Sequence, residues 1–547
     1  MYWKLIFLFF LLTMMISASA KETISEYIHL QQSHYNLKSV EQLTYYLAFR
    51  KNGQLKSEHW GSNWKVLSKD IHQQLSTKDS HYDWVEVNLV YNKTNVKRHS
   101  PLLRNIYRGV KGITFEVDGK LHRYSPTQML AKNKSFKKIL KPFKNKEIKQ
   151  LQVFDVHQFL IKIGNSPSHL KITPAFRGNQ IIKPEEVTQE NVRSLAKGMA
   201  DWMLEQVSNE GEATYKYWPS RKLDKQPNSN NMIRQWMASV CLARLAQGNY
   251  GGAKGKLNSN LQYNLEKYYR VDNRLGIIPY NNKVKLGAIA LAALALHESP
   301  LRSLYRQQEE SLNRTIHTLW QPNGRFKTFY KSSQNHNHNF YPGEALLYWV
   351  TRYKKTKSPE LLNKIMTSFR YYREWHLNPR NRNPAFIPWH TQAYYQLWTL
   401  TREPELQGFI FEMNDWLLNH QQWDDVKFND TKGRFYTPSK RYGPPHASST
   451  GVYLEGLIDA FQLARAVKDS SREKAYKIAI LRGLRSLMQL QFVDDIDMFY
   501  ISQKKKVKGG LRTTVYSNEI RIDNVQHSLM AVMKILQVLK PLDYYEE

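Results

Sequence analysis

The sequence predicts a mostly α-helical protein: a C-terminal ring of six helical hairpins, an (α/α)6 toroid, preceded by a smaller α+β domain. Three observations point there. Beyond about residue 188 a unit recurs six times: a polar turn, an apolar helix, then a longer amphipathic helix. One helix of a unit is apolar all round, as in LGAIALAALAL (286–296) and YLEGLIDAFQLA (453–464). Such a helix must be buried on every side, whereas its amphipathic neighbour can sit outside. Finally, three turns are alike: GEATYKY (211–217), GRFKTFY (324–330) and GRFY (433–436) each place a glycine before a strand-like aromatic segment.

In chain order, residues 1–20 read as a signal peptide. Lys4 precedes the apolar run 5–16, and Ala18-Ser19-Ala20 is a small-residue cleavage site. The run is shorter than the roughly 20 residues of a membrane span. The expectation is an exported protein, periplasmic or extracellular, whose mature chain starts near Lys21.

Residues 21–181 form the predicted α+β domain. Residues 43–50 (LTYYLAFR) suit a strand, and Lys51-Asn52-Gly53 is a turn signal. Helical spacing marks 66–75, and alternation marks 84–91 (WVEVNLVY) as a half-buried strand. Asp118-Gly119 joins 112–118 and 120–124 as a hairpin. Ser125-Pro126-Thr127 opens a helix over 128–140, and 153–163 closes the domain as a strand. Lysines at 132, 134, 137, 138, 141, 144, 146 and 149 make a basic run that would dock on a phosphate-rich surface or form a solvated face. The segment RGVKGITFEVDGKLHRYSPTQML resembles the AMMECR1-like domain in its strand–helix–strand layout; that family's Arg-Gly-Cys core is missing, so no activity is implied.

Residues 182–187 (IKPEEV) read as a linker, with Pro184 as a breaker, and the toroid takes 188–547. Its polar-to-apolar segments are 217–246, 278–297, 329–354, 386–401, 436–467 and 516–539. Amphipathic helices are expected over 189–207, 257–269, 301–320, 361–375, 405–420 and 471–492. The Lys504–Lys508 cluster with Gly509-Gly510 reads as a surface loop.

The formal net charge is +33, which favours an anionic partner such as an acidic glycan or an anionic envelope surface. Nucleic acid is disfavoured because no recognition motif appears. Cys241 is the only cysteine, so an intramolecular disulfide and a cysteine zinc site are excluded; its apolar surroundings suit a small buried hydrophobe.

The segments GRF–Y, YPGEALL and GPPHASSTGVYLEGLIDA together resemble the (α/α)6-toroid carbohydrate enzymes, in particular the C-terminal domain of glucuronyl C5-epimerase and the N-acylglucosamine 2-epimerase-like proteins. The resemblance spans about 187–539. It implies a sugar-binding funnel at the starts of the inner helices.

On that expectation, six helix mouths converge. They offer Asn230, Asn231, Arg234 and Gln235; Tyr280, Asn281 and Lys285; His336, His338, Tyr341 and Glu344; Trp389, His390 and Gln392; His446, Ser448, Thr450, Tyr453 and Glu455; and Glu519, Arg521, Asp523, Asn524 and His527. The stretch QNHNHNFYPGEALLYWV is the most suggestive, since Pro342 suits a first helical turn and Glu344 follows where the helix dipole favours an anion. Glycoside hydrolysis needs two carboxylates, for which Glu344 and Glu455 are the candidates and Asp523 the substitute. Epimerisation or β-elimination at a uronate needs an acid, a base and a cation on the carboxylate, for which Tyr341, His390 and Arg234 stand ready. Asn231, Trp389, Tyr453, Asp523 and His527 complete the candidate binding set.

Each residue also has a structural role open to it, because helix ends that meet need capping and buried hydrogen bonds. No cofactor is implied. The histidine spacing fits no standard metal motif. Two functions remain: a carbohydrate-active protein that binds an acidic glycan and hydrolyses, eliminates or epimerises it, or a non-catalytic envelope protein using the same funnel to bind a glycan or surface.

Overall fold

The structure is a computed structural model that describes residues 44–62, 71, 82–163, 170–219, 223–224 and 229–544. The predicted signal peptide and most of the predicted helix 66–75 lie outside the described residues.

The N-terminal domain is built on an antiparallel sheet. Its strands are β1 (Thr44–Lys51), β2 (Gln54–Ser62), β3 (Trp84–Asn95), β4 (Lys111–Val117), β5 (Lys120–Tyr124), β6 (Lys149–Ile163) and β7 (Leu170–Ala175). The order is β2-β1-β3-β6-β4-β5, with β7 on the second half of the long β6. The anticipated Asp118-Gly119 hairpin forms, and the Lys51-Asn52-Gly53 turn joins a second one between β1 and β2. Asn52-Gly53 and Asp118-Gly119 all have positive φ, the geometry a two-residue turn between right-twisted strands requires. Alternation sorts the sheet into two faces: Tyr45, Leu47, Phe49, Val85, Val87, Leu89, Phe159 and Ile161 make one core. The opposite face carries a buried Arg50–Glu86 ion pair at 3.1 Å. One expected helix is corrected: 128–140 is two short helices, α1 (Pro126–Ala131) and α2 (Phe136–Leu140). Asn133, at positive φ, breaks the pattern, and Ser135 caps α2.

The anticipated linker is firmly held. Ile182 N–H donates to Gln489 Oε1 at 2.9 Å, and Arg485 Nε donates back to the Ile182 carbonyl at 2.8 Å. A second, larger hydrophobic core runs from the N-terminal domain into the helices.

The C-terminal part is the toroid. Outer helices are α3 (Gln189–Glu205), α5 (Ala253–Tyr268), α7 (Arg306–Leu319), α9 (Pro359–Leu377), α11 (Pro404–Leu418) and α13 (Ser470–Leu490). Inner helices are α4 (Met232–Gln247), α6 (Leu286–Glu298), α8 (Tyr341–Thr356), α10 (Ile387–Thr401), α12 (Ala447–Ala466) and α14 (Ile522–Val538). The inner ring runs α4-α6-α8-α10-α12-α14 and closes on α4. Every residue of α6 from Leu286 to His297 is buried, as its uniform apolarity demands. Short strands fringe the helix mouths: β8 (Lys216–Trp218) and β9 (Leu223–Asp224), the pairs β10 (Arg270–Asp272) with β11 (Leu275–Ile277) and β12 (Pro279–Tyr280) with β13 (Lys283–Val284), then β14 (Arg512–Thr514) and β15 (Ser517–Arg521). Among the described residues, no helix is long and apolar enough to cross a membrane.

The glycine turns have one physical job. Gly211, Gly324 and Gly433 have φ of 100°, 89° and 86°, and each lies backbone to backbone against the next outer helix, at Ser259, Thr367 and Arg482. A Cβ there would overlap a carbonyl oxygen. Gly509 does the same against Gly198 of α3, at φ 84°. The Lys504–Gly510 segment is therefore a fourth turn of this kind, not only a surface loop. Its relation was hidden because aliphatic Leu511 replaces the aromatic of the GRF turns.

Candidate active site

The first turns of all six inner helices surround one cavity of about 380 Å3. Asn231, Ile233 and Arg234 come from the start of α4, Lys285 from the N-cap of α6, Asn337 and Phe340 from the loop before α8, and Tyr341 and Glu344 from α8. Ala385 comes from the turn before α10 and Trp389 from α10, Ser448, Ser449, Val452 and Tyr453 from α12, Arg521 from the end of β15 and His527 from α14. Repetition of the helical hairpin brings these segments together across some 300 residues of chain.

Glu344 has the most unusual environment. Pro342 starts α8, so the glutamate falls in the first turn, but it is 1% exposed and its Oε2 has no hydrogen-bond partner. It packs against Gly287, where a Cβ would collide with Oε2 and the Tyr341 ring. Burial pushes its pKa up to about 8, against the opposing pull of Arg234 and Lys285. At neutral pH this carboxyl is mostly protonated and can donate a proton.

His527 supplies the complementary group. Its Nδ1 is 2.7 Å from Glu455 Oε1, with both side chains buried. A carboxylate accepting from Nδ1–H selects the tautomer whose lone pair is on Nε2. Trp389 meets the imidazole edge-on, with ring centroids 5.8 Å apart.

Cations line the wall between them. Arg234 Nε is 3.1 Å from Asp523 Oδ2, and Arg521 Nε is 2.9 Å from Asp523 Oδ1. Burial opposes ionisation of Asp523, but the two guanidiniums outweigh it and hold the pKa at about 2. Burial lowers the Lys285 pKa, and Lys283 and Arg234 add to that effect. With Glu344 protonated, the three cations Arg234, Arg521 and Lys285 outnumber the carboxylates of Asp523 and, behind His527, Glu455, so the cavity is electropositive at neutral pH.

Of the ten predicted site residues, Glu344, Tyr341, Asn231, Arg234, Trp389, Tyr453 and His527 line the cavity. Asn231 also caps α4, accepting from Ile233 N–H at 3.0 Å. Burial, with Glu344 nearby, raises the Tyr341 hydroxyl well above its ordinary range, so it remains a hydrogen-bond donor.

Three residues are placed elsewhere. Glu455 is not among the residues that line the cavity and instead bonds His527 Nδ1. Asp523 is fully buried beneath its two arginines. His390 lies inside the wall, stacked on Phe386 with centroids 3.5 Å apart and Nδ1 2.9 Å from the Phe386 carbonyl; burial drives its pKa down to about 3. His338 is likewise buried, against Tyr372. Sequence reasoning passed over Asn337, Phe340, Thr437 and Ser449. Phe340 had a signal available, as an aromatic directly before the YPGE turn, and it stands 40% exposed at the cavity edge. Among the described residues, no group of three or more His, Cys, Asp or Glu could hold a metal ion.

No protein-family model matches the sequence, and no curated protein matches it. Solved structures similar to the chain include a D-mannose isomerase (11% identity, TM-score 0.49, covering 64% of this chain and 98% of that one). An unsaturated glucuronyl hydrolase from Streptococcus agalactiae is similar at 12% identity (TM-score 0.45, 67% and 98%), and cellobiose 2-epimerase from Bacillus thermoamylovorans at 9% (TM-score 0.47, 63% and 98%).

Proposed function

We propose that this protein is an exported carbohydrate-active enzyme that takes one acidic sugar residue into the toroid cavity and moves a proton on it. Epimerisation or β-elimination at a uronate is preferred to hydrolysis. The observation that carries this choice is the pairing of a neutral carboxyl, Glu344, with a carboxylate-oriented imidazole, His527, around one electropositive cavity. Hydrolysis by two carboxylates would need a second acidic group at the cavity wall, and Glu455 stands one layer behind it.

The chemistry follows from the groups present. A uronate carbon next to the carboxylate loses its proton only if the developing negative charge on the carboxylate oxygens is stabilised. Arg234, Arg521 and Lys285 are positioned for that. His527 Nε2 accepts the proton, and Glu455 stabilises the imidazolium that forms. Glu344 delivers a proton to the opposite face, or to the leaving oxygen in elimination. Trp389, Tyr453 and Phe340 provide apolar surface for the sugar ring.

The test is incubation with uronate oligosaccharides in D2O. Deuterium at the carbon next to the carboxylate, or a new unsaturated uronate, is expected from the wild type and is lost in His527→Ala. Glycosidic cleavage with neither change would overturn the proton-transfer reading. The rival function, a non-catalytic envelope protein binding glycan or an anionic surface, rests on the same positive cavity and predicts a thermal shift with uronates but no turnover.

A further inference from the structure

A second positively charged site lies outside the cavity, where the N-terminal domain meets the toroid. Arg108 precedes β4, Arg177 follows β7, and Arg434 belongs to the Gly433 turn; they are 5%, 2% and 1% exposed. Arg177 bonds the Arg108 carbonyl, Arg434 bonds His446, whose ring meets Tyr516 edge-on with centroids 5.3 Å apart, and all three guanidiniums oppose the rise that burial gives the Tyr516 pKa.

Their protein partners leave donors over. Arg177 Nε donates to Asp430 Oδ2 at 2.6 Å and one Nη to the Arg108 carbonyl at 2.5 Å. Arg434 reaches His446 Nε2 at 2.7 Å and the Gly443 carbonyl at 3.1 Å. Arg108 donates to Asn133 Oδ1. Arg108 Nε, the second Nη of Arg177 and Arg434 Nε are buried without an acceptor. Aromatic faces take up part of the charge of Arg177, which lies 4.7 Å from the Phe428 centroid and 5.4 Å from Phe176. Asp430 acts on both Arg177 and Arg434 and is shared with the buried Arg485, while Tyr500 and Tyr516 act on Arg108. Burial lowers Arg108 and Arg434 to about 10, so both remain charged at neutral pH, and it lowers Arg177 as well. Buried guanidiniums in this excess need a counter-charge, and their N–H groups suit chloride or the oxygens of sulfate or phosphate.

We propose that the Arg108–Arg177–Arg434 cluster binds a small inorganic anion that joins the N-terminal domain to the toroid. This inference is independent of the proposed reaction. The bound anion also supports the cavity wall. Arg434 holds Gly443 and His446, the His446 N–H donates to the Thr513 carbonyl at 2.8 Å, and Ser448 and Ser449 of the cavity follow immediately.

Thermal unfolding at constant ionic strength in gluconate, chloride, sulfate and phosphate tests the site. A rise in Tm of several degrees in at least one of the small anions over gluconate is expected in excess of the general stabilisation that excluded sulfate and phosphate give any fold, and the anion with the largest excess difference identifies the occupant. Arg108→Met and Arg434→Met should abolish that difference, while Lys144→Met with Lys146→Met on the surface should retain it. Equal Tm in all four salts, or an undiminished salt response in the arginine variants, would overturn the proposal. Should the variants fail to fold, crystals of the wild type grown in bromide decide. Anomalous density beside the three unpartnered nitrogens supports the site, and bromide confined to the outer surface refutes it.

Discussion

Replacing Glu344 by glutamine separates the two things its burial does. In the unfolded chain this carboxyl titrates near 4.5, and in the folded protein at about 8. The native state therefore holds a proton that the unfolded state releases, and stability falls as pH rises through that window. Ionising the buried group costs about 5 kcal/mol once both states are deprotonated. Glutamine keeps the shape and never ionises. Glu344→Gln should match the wild type near pH 4, exceed it by about 3 kcal/mol at pH 6.5, and by about 5 kcal/mol at pH 8.5. The amide's own contacts add an offset, but one that does not vary with pH. Urea unfolding across this range reads the difference directly, and turnover should be absent in the variant throughout. Parallel stability curves for the two proteins would refute the claim that Glu344 is buried with a raised pKa, and with it the role of a neutral acid.

The remaining predictions concern its surroundings. Glu455→Gln should lower kcat by about 100-fold or more with little change in KM, because His527 loses the group that fixes its tautomer; an equal rise in KM would assign Glu455 to substrate contact instead. Arg234→Gln should weaken binding of a uronate by about 10- to 100-fold and leave its neutral sugar analogue unaffected, as read by calorimetry. Gly287→Ala should abolish activity and destabilise the fold by about 1–3 kcal/mol, since the added methyl displaces the Glu344 carboxyl. Cys241, fully buried with its thiol pushed up to about 12, should react with thiol reagents only after denaturant is added.

The reading of individual residues from sequence succeeded where the signal was local. Asn52-Gly53 and Asp118-Gly119 carry their turns in two residues, and the α8 boundary is fixed by Pro342. It failed where a residue's role depends on what faces it. His390 and His527 both follow an inner-helix start by a few residues, yet one ring is sandwiched on Phe386 and the other reaches the cavity. Glu344 and Glu455 looked interchangeable as carboxylates on apolar helices. Their depths differ: Glu344 lies in the first turn of its helix, and Glu455 lies about two turns in, where His527 and Arg244 meet it.

The sequence by itself determined the architecture. Six alternations of apolar and amphipathic helix leave a closed double ring as the way to bury every apolar face, and the Gly211, Gly324 and Gly433 turns mark its repeats. Only the tertiary structure decided the chemistry of the mouth. A pKa near 8 at Glu344 arises from desolvation by residues far away in the chain, and the His527–Glu455 pair joins positions 72 residues apart. The arginine cluster at the domain junction is of the same kind: Arg108, Arg177 and Arg434 are unremarkable in sequence and become a site only where two domains fold onto each other.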